Sequence, residues 1–274
     1  NDARPYKYLK QAKGKIMADE TQPSWLLRDD GEKIAYFRDG HATENQTGAI
    51  WLGGFKSDMT GTKASELARW ANIQSRSLVR FDYFGHGQSS GDFRNGTISR
   101  WREDALTVLD TLTDGPQVLI GSSMGAWISL LVALARPDRI KGLVLIAPAP
   151  DFTQALMWNT YDDTVRATLE REGLYLEPSD YGDPYEITLK LIEDGRRHLL
   201  LEGPIPLSVP VRILQGMADT DVPWQHAMHL ATQLSAPDVQ VQMTKAGDHR
   251  LSDPDDIQRL TETLDRLLRS IEHP

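Results

Sequence analysis

The chain has 274 residues, 40% of them hydrophobic and 25% charged, enough to bury one sizeable core, and it is read as a single domain over residues 1–274. Its formal net charge of −9 argues against nucleic acid or an anionic membrane surface as a general partner. Zero cysteines exclude disulfides, thiolate metal sites and a cysteine nucleophile, and no apolar run approaches the length of a transmembrane segment.

Residues 1–20 are polar, carry Lys7, Lys10, Lys13 and Lys15, and read as an N-terminal surface arm. The chain opens at Asn1 with no basic-then-apolar leader, as a trimmed or processed chain would, and the location expected without a signal peptide is cytoplasmic. Residues 24–28 and 33–38, separated by Asp29-Asp30-Gly31, predict a hairpin. Strand and helix then alternate. Residues 49–52 precede a helix over Thr62–Gln74, and Leu78–Phe81 precedes a glycine-rich loop and a helix over Ile98–Leu112. Residues 118–120 precede a helix over 126–136 that Pro137 stops, and 143–146 form the next strand. Such alternation implies an α/β fold with a mostly parallel central sheet flanked by helices. It breaks between Ala147 and Pro206, with helical patches near Asp163–Glu172 and over 185–198. That stretch is too long for a loop in a compact domain, so 150–205 is expected to fold as a helical cap insertion over the crevice at the carboxyl ends of the strands. A strand at 211–214, a helix after Pro223, a strand at 239–243 and a long helix over 254–271 complete the pattern.

The turn Gly121-Ser-Ser-Met-Gly125 is G-x-S-x-G between a strand and a helix. A strand reversing directly into a helix crowds the backbone, so neither glycine position has room for a Cβ. Ser123 Oγ is thereby held clear at a helix N-terminus, with the Met124 N–H aimed at a developing oxyanion. A serine alkoxide is inaccessible near neutral pH, so Ser123 needs a base and a group to orient that base. Of the seven histidines, His249 lies in the turn-rich loop Lys245-Ala-Gly-Asp-His-Arg250, just after a strand. His226 and His229 fall inside a helix and read as surface residues. His86, in Asp82-Tyr-Phe-Gly-His-Gly-Gln-Ser89, is the alternative base. Asp219, at the apex of the loop after 211–214, is the orienting carboxylate, and Asp221 is read as the cap of the helix near Pro223. Asp248 reads as a turn residue. A second oxyanion donor is expected from Gly53-Gly-Phe-Lys56, where the Phe55 N–H is the candidate. In the cap, Phe152, Met157, Trp158, Tyr161 and Tyr175 are candidate substrate-binding residues, an apolar lid for an acyl chain. With no H-E-x-x-H, no Walker loop and no dinucleotide fingerprint around Gly85-His-Gly87, neither a metal nor a cofactor is expected.

With these residues in hand, the chain resembles the α/β-hydrolase superfamily and, within it, the abhydrolase-domain enzymes, over about residues 33–268. The resemblance is carried by Thr60-Gly-Thr-Lys-Ala64, Arg80-Phe-Asp-Tyr83, Asp114-Gly-Pro-Gln117, Gly121-Ser-Ser-Met-Gly125 with Trp127, Val222-Pro-Trp224 and Asp248-His-Arg250. It implies a Ser123, Asp219, His249 triad in a capped serine hydrolase that cleaves carboxylic esters or thioesters of small-molecule or acylated substrates without a cofactor. A lactone or carbon–carbon bond hydrolase with the same triad is the alternative chemistry, and a non-catalytic binding protein on this fold is the alternative class. Gln215 stands where the family commonly has His before the acid-loop glycine, with an expected effect on local packing only.

Overall fold

Side chains alternate across a strand, so a strand buried on both faces must be apolar at nearly every position, and the central strands of this chain are. A computed structural model describes residues 22–41, 46–178 and 184–273; the arm expected over residues 1–20 lies outside the described residues. Strands β1 (Ser24–Leu27), β2 (Lys33–Asp39), β3 (Gly48–Leu52), β4 (Leu78–Phe81), β5 (Gln117–Ser122), β6 (Ile140–Ile146), β9 (Val211–Gly216) and β10 (Val239–Thr244) form one sheet in the order β1-β2-β4-β3-β5-β6-β9-β10. The β1-β2 and β2-β4 pairs are antiparallel, and every other pair in this sheet is parallel. This is the expected mostly parallel sheet.

Its two faces are covered by different helices. Leu119 of β5, Leu143 and Leu145 of β6, and Ile50 and Leu52 of β3 share one core with α2 (Ile98–Leu112), α3 (Met124–Ala135) and α6 (Trp224–Gln233). Their strand neighbours Val118, Ile120, Val144, Ile146, Ala49 and Trp51 point the other way, against α1 (Thr62–Gln74) and α7 (Pro254–Glu272). The central α3 is buried along nearly its whole length, as its uniformly apolar sequence requires.

Residues 150–205 connect β6 to β9. They hold a π-helical turn (Thr153–Trp158), α4 (Asp163–Glu172), the antiparallel hairpin β7 (Leu174–Glu177) and β8 (Tyr185–Thr188), and α5 (Leu189–Gly195). The helical patch expected over 185–198 is therefore corrected at its start. Tyr185-Glu-Ile-Thr188 pairs with Leu174–Glu177, buries Ile187, and only then yields to helix, with the Thr188 hydroxyl accepting from Leu191 N–H as the cap of α5. Asp151, buried and at φ +59°, accepts hydrogen bonds from Leu200 N–H (2.9 Å) and Leu201 N–H (2.8 Å), tying the two ends of the excursion together. His226 of α6 donates to the Pro150 carbonyl at 2.7 Å, so this half-buried side chain braces the base of the excursion and is not the surface residue expected. Trp127 of α3 donates its indole N–H to the His198 carbonyl at 3.1 Å.

Candidate active site

Ser123 sits between β5 and α3 at φ 54°, ψ −116°, a conformation that costs a non-glycine residue about 1–3 kcal/mol and persists only where the surroundings dictate it. They do so here by contact. A Cβ on Gly125 would lie 2.1 Å from the Leu52 carbonyl oxygen, and one on Gly121 would lie 2.4 Å from that of Gly125. Helix α3 is thus seated directly on the ends of β3 and β5, and the Ser123 N–H donates to the Ile146 carbonyl at 2.8 Å.

The loops after β9 and β10 meet the serine from the side. They are stitched by Ala218 N–H to the Gly247 carbonyl (3.0 Å) and Met217 N–H to the Thr244 carbonyl (2.9 Å). On them, His249 Nε2 stands 3.1 Å from Ser123 Oγ, and His249 Nδ1 stands 2.8 Å from Asp219 Oδ2. The Asp219 carboxylate is fully buried, and its other oxygen accepts from Asp221 N–H (2.9 Å) and Val222 N–H (2.8 Å). With Nδ1–H directed at this carboxylate, the Nε2 lone pair faces the serine hydroxyl. Gln215 belongs to this cage. Its Nε2 donates to Asp219 Oδ2 (3.1 Å) and to the Val222 carbonyl (3.1 Å), so the substitution expected to touch only packing bonds the carboxylate itself.

Asp221 does not cap α6. The N-cap is Pro223 and no side chain bonds there; Asp221 is exposed and lines the cleft. Its carboxylate, with Asp219 and His249, forms a group whose potential ligand atoms lie within 4.8 Å of one another, although Asp219 and His249 already bond each other. Asp248 accepts from Leu251 N–H at 2.9 Å, as a turn residue does.

The alternative base, His86, lies elsewhere and does something else. Its ring is buried edge-on against Tyr83, Phe93 and Trp101. Nδ1 faces the Phe84 carbonyl at 3.1 Å and Nε2 faces the Lys56 N–H at 3.1 Å. Only a neutral ring with its proton on Nδ1 satisfies both partners, and burial pushes its pKa down to about 4.

A cleft of about 1040 Å³ opens over Ser123. Phe55 and Met124 line it beside the serine, and the Met124 N–H opens a helix, where the first N–H groups have no intrahelical acceptor. The Phe55 ring packs edge-on with Phe93, Trp101, Phe152 and Tyr185, joining the loop after β3 to the excursion. Its lining includes the apolar side chains of Phe55, Phe152, Leu156, Met157 and Tyr185. It also includes the charged side chains of Lys56, Asp58, Lys63, Asp221 and Arg250, with Lys56 Nζ over the Tyr185 ring. Lys63 donates to the Arg250 carbonyl, next to His249, and burial with the nearby Arg250 pushes its pKa down to about 8. Trp158, Tyr161 and Tyr175, named with Phe152 and Met157 from the sequence, do not reach the cleft. They pack with Leu169, Ile187 and Ile192 as the excursion's own small core, where Arg166 and Arg196 lie over the Trp158 ring. Leu156 and Tyr185 take those places, and only the π-helical turn and the hairpin could have revealed them.

The family model described as serine aminopeptidase, S33, matches residues 57–171. The chain is 36% identical to the mitochondrial palmitoyl-protein thioesterase ABHD10 of Homo sapiens, over 91% of this chain and 81% of that protein. Among solved structures, mouse ABHD10 superposes with a TM-score of 0.83 at 35% identity, covering 91% of this chain and 99% of that one. A protein of Agrobacterium vitis S4 assigned as a hydrolase superposes with a TM-score of 0.86 at 43% identity, covering 90% and 98%. These relatives correct the expected cytoplasmic location, because the human, bovine and orangutan proteins are named as mitochondrial. Charge and hydropathy of this kind suit either compartment, so composition carries no such address. No helix among the described residues is long and apolar enough to cross a membrane.

Proposed function

The chain belongs to the α/β-hydrolase family that includes the ABHD10 palmitoyl-protein thioesterases and is a hydrolase, and on that premise we propose that it cleaves thioesters or carboxylic esters through an acyl-enzyme on Ser123. The observation that carries this reading is the His249 ring, bracketed by Ser123 Oγ at 3.1 Å and Asp219 Oδ2 at 2.8 Å. Ser123 Oγ attacks the acyl carbonyl as His249 Nε2 takes its proton. The imidazolium formed is stabilised by the buried Asp219 carboxylate, and the oxyanion is held by the Phe55 and Met124 N–H groups. His249 returns the proton to the departing thiol or alcohol, and a water then repeats the sequence to release the acid. A thiolate leaves with little help.

In this reading residues 150–205 act as a cap, and Phe152, Leu156 and Met157 receive the acyl chain. Palmitoyl thioester cleavage is the activity named for the relatives, and the apolar side chains lining the cleft favour a long acyl group here too. The test is turnover of matched acyl thioesters and aryl esters by wild type and Ser123→Ala, with fluorophosphonate labelling alongside. The variant is expected to lose labelling and about 10⁶ in kcat. A Ser123→Ala protein that still turns over removes the acyl-enzyme.

A further inference from the structure

Gln215 is the penultimate residue of β9, fully buried where the chain turns into the loop that carries Asp219. Its amide nitrogen lies 3.0 Å from the Gly216 carbonyl oxygen, 3.1 Å from that of Val222 and 3.1 Å from Asp219 Oδ2. Three acceptors face one end of this amide, so that end is the NH2; with the two ends exchanged, an oxygen would face all three. At the other end Oε1 is buried and has no hydrogen-bond partner among the described residues. A dry, unbonded oxygen costs stability that an apolar side chain of the same size would not. Whatever the amide contributes in return lies at its nitrogen.

Each oxygen of a carboxylate offers two lone pairs. At Asp219 both sites of Oδ1 go to its own loop, to Asp221 N–H at 2.9 Å and Val222 N–H at 2.8 Å. At Oδ2 one donor is Gln215 and the other is His249 Nδ1, at 2.8 Å. All four sites are filled, and the imidazole has one place left to bond. The same amide nitrogen reaches the Val222 carbonyl, so it also holds the carboxylate against the end of the loop.

We propose that Gln215 is a positioning residue for the Asp219–His249 pair, filling the second lone pair of Oδ2 so that the imidazole is held in the orientation that turns Nε2 to Ser123. This rests on the acyl-enzyme reading of the site. Gln215 touches no substrate and does not line the cleft. Without its donor, Oδ2 offers the ring a second place to bond and the carboxylate has one restraint fewer.

Two substitutions test the donor apart from the space it fills. Gln215→Met keeps the volume and removes the donor at every pH. Gln215→Glu keeps the shape and makes the donor depend on pH. The ionisable groups around the Asp219 carboxylate are Asp221 and His249. Beside that carboxylate an ionised glutamate repels Oδ2, whereas in acid the protonated glutamate donates to it as the amide does. Losing the correct imidazole tautomer altogether costs about 10⁴ in kcat in a serine protease, and loosening its holder costs less. The expected kcat of Gln215→Met is about 10–100-fold below wild type, with KM within about twofold. The ratio of Gln215→Glu kcat to wild-type kcat is expected to rise about tenfold from about pH 8 to about pH 6, while the methionine ratio stays flat. A side chain that only filled space would give neither result. A folded Gln215→Met protein with wild-type kcat, or a glutamate ratio that does not change with pH, overturns the proposal, and either variant decides alone if the other does not fold. Ser123→Ala run in parallel distinguishes the failures. If it is dead while Gln215→Met turns over normally, only the role of Gln215 falls; if it remains active, the acyl-enzyme reading falls and takes this one with it.

Discussion

His86 is neutral because two backbone groups of opposite character, the Phe84 carbonyl and the Lys56 N–H, bracket its ring, and because burial disfavours the cation. Between pH 6.5 and about 4 the unfolded chain takes up a proton here that the folded chain refuses, so this group's contribution to stability is present above 6.5 and lost as pH falls to about 4. The span is worth on the order of 3 kcal/mol. Asp82 and Asp104, pushed up by burial to about 6, act in the opposite sense: their contribution is present below 3.8 and lost as pH rises through about 6. The two effects overlap and partly cancel in the wild type. Replacing His86 by Gln removes one of them, and its Tm is expected to fall less than the wild-type Tm between pH 6.5 and 4. Parallel curves would assign the titration elsewhere. At this scale Ser123, His249 and Asp219 were legible because each comes just after a strand, and parallel strands deliver the loops at their carboxyl ends to one edge. Gln215 and His86 were not, because the hydrogen bonds that define them form only once their loops have folded.

Among the elements, the six-residue π-helical turn Thr153–Trp158 decides which apolar side chains of the excursion face Ser123. It sends Leu156 and Met157 toward the cleft and leaves Trp158 to the small core behind. Met157→Ala is therefore expected to raise KM about tenfold for a long-chain acyl thioester, the loss of roughly two buried methylenes, and to leave a two-carbon acyl substrate unchanged. Equal effects on both chain lengths would remove Met157 from the acyl site. The same stretch holds the part of the fold least legible in sequence. Tyr185-Glu-Ile-Thr188 mixes strand-favouring residues with a following helical run, and only pairing with Leu174–Glu177 resolves it as a strand. Helices α1, α2 and α4 match their expected bounds because glycine, threonine and aspartate mark where they start, and Asp162 accepts from Val165 N–H as the cap of α4.

In the whole molecule, Asp151 ties the two ends of the excursion to each other through Leu200 and Leu201, His226 and Trp127 tie its base to helices α6 and α3, and Ser99 to Asp194 and Arg94 to Glu186 tie it further out. Asp151→Ala would leave the buried Leu201 N–H and the half-buried Leu200 N–H without an acceptor, a cost of about 1–3 kcal/mol for the buried one. It is expected to lower Tm and to raise amide exchange over residues 150–205 more than in β5 and β6; exchange that rises equally throughout would show the ties to be part of one cooperative unit. Local sequence was enough for the parallel sheet, the alternation of its strands with their helices, and the candidate serine, base and acid, because periodicity, turn residues and capping act over a few positions of the chain. Tertiary contacts alone decided what bonds Asp219 and which residues line the cleft. Those outcomes are contacts between segments tens of residues apart, and no local preference of the chain encodes a distance between them.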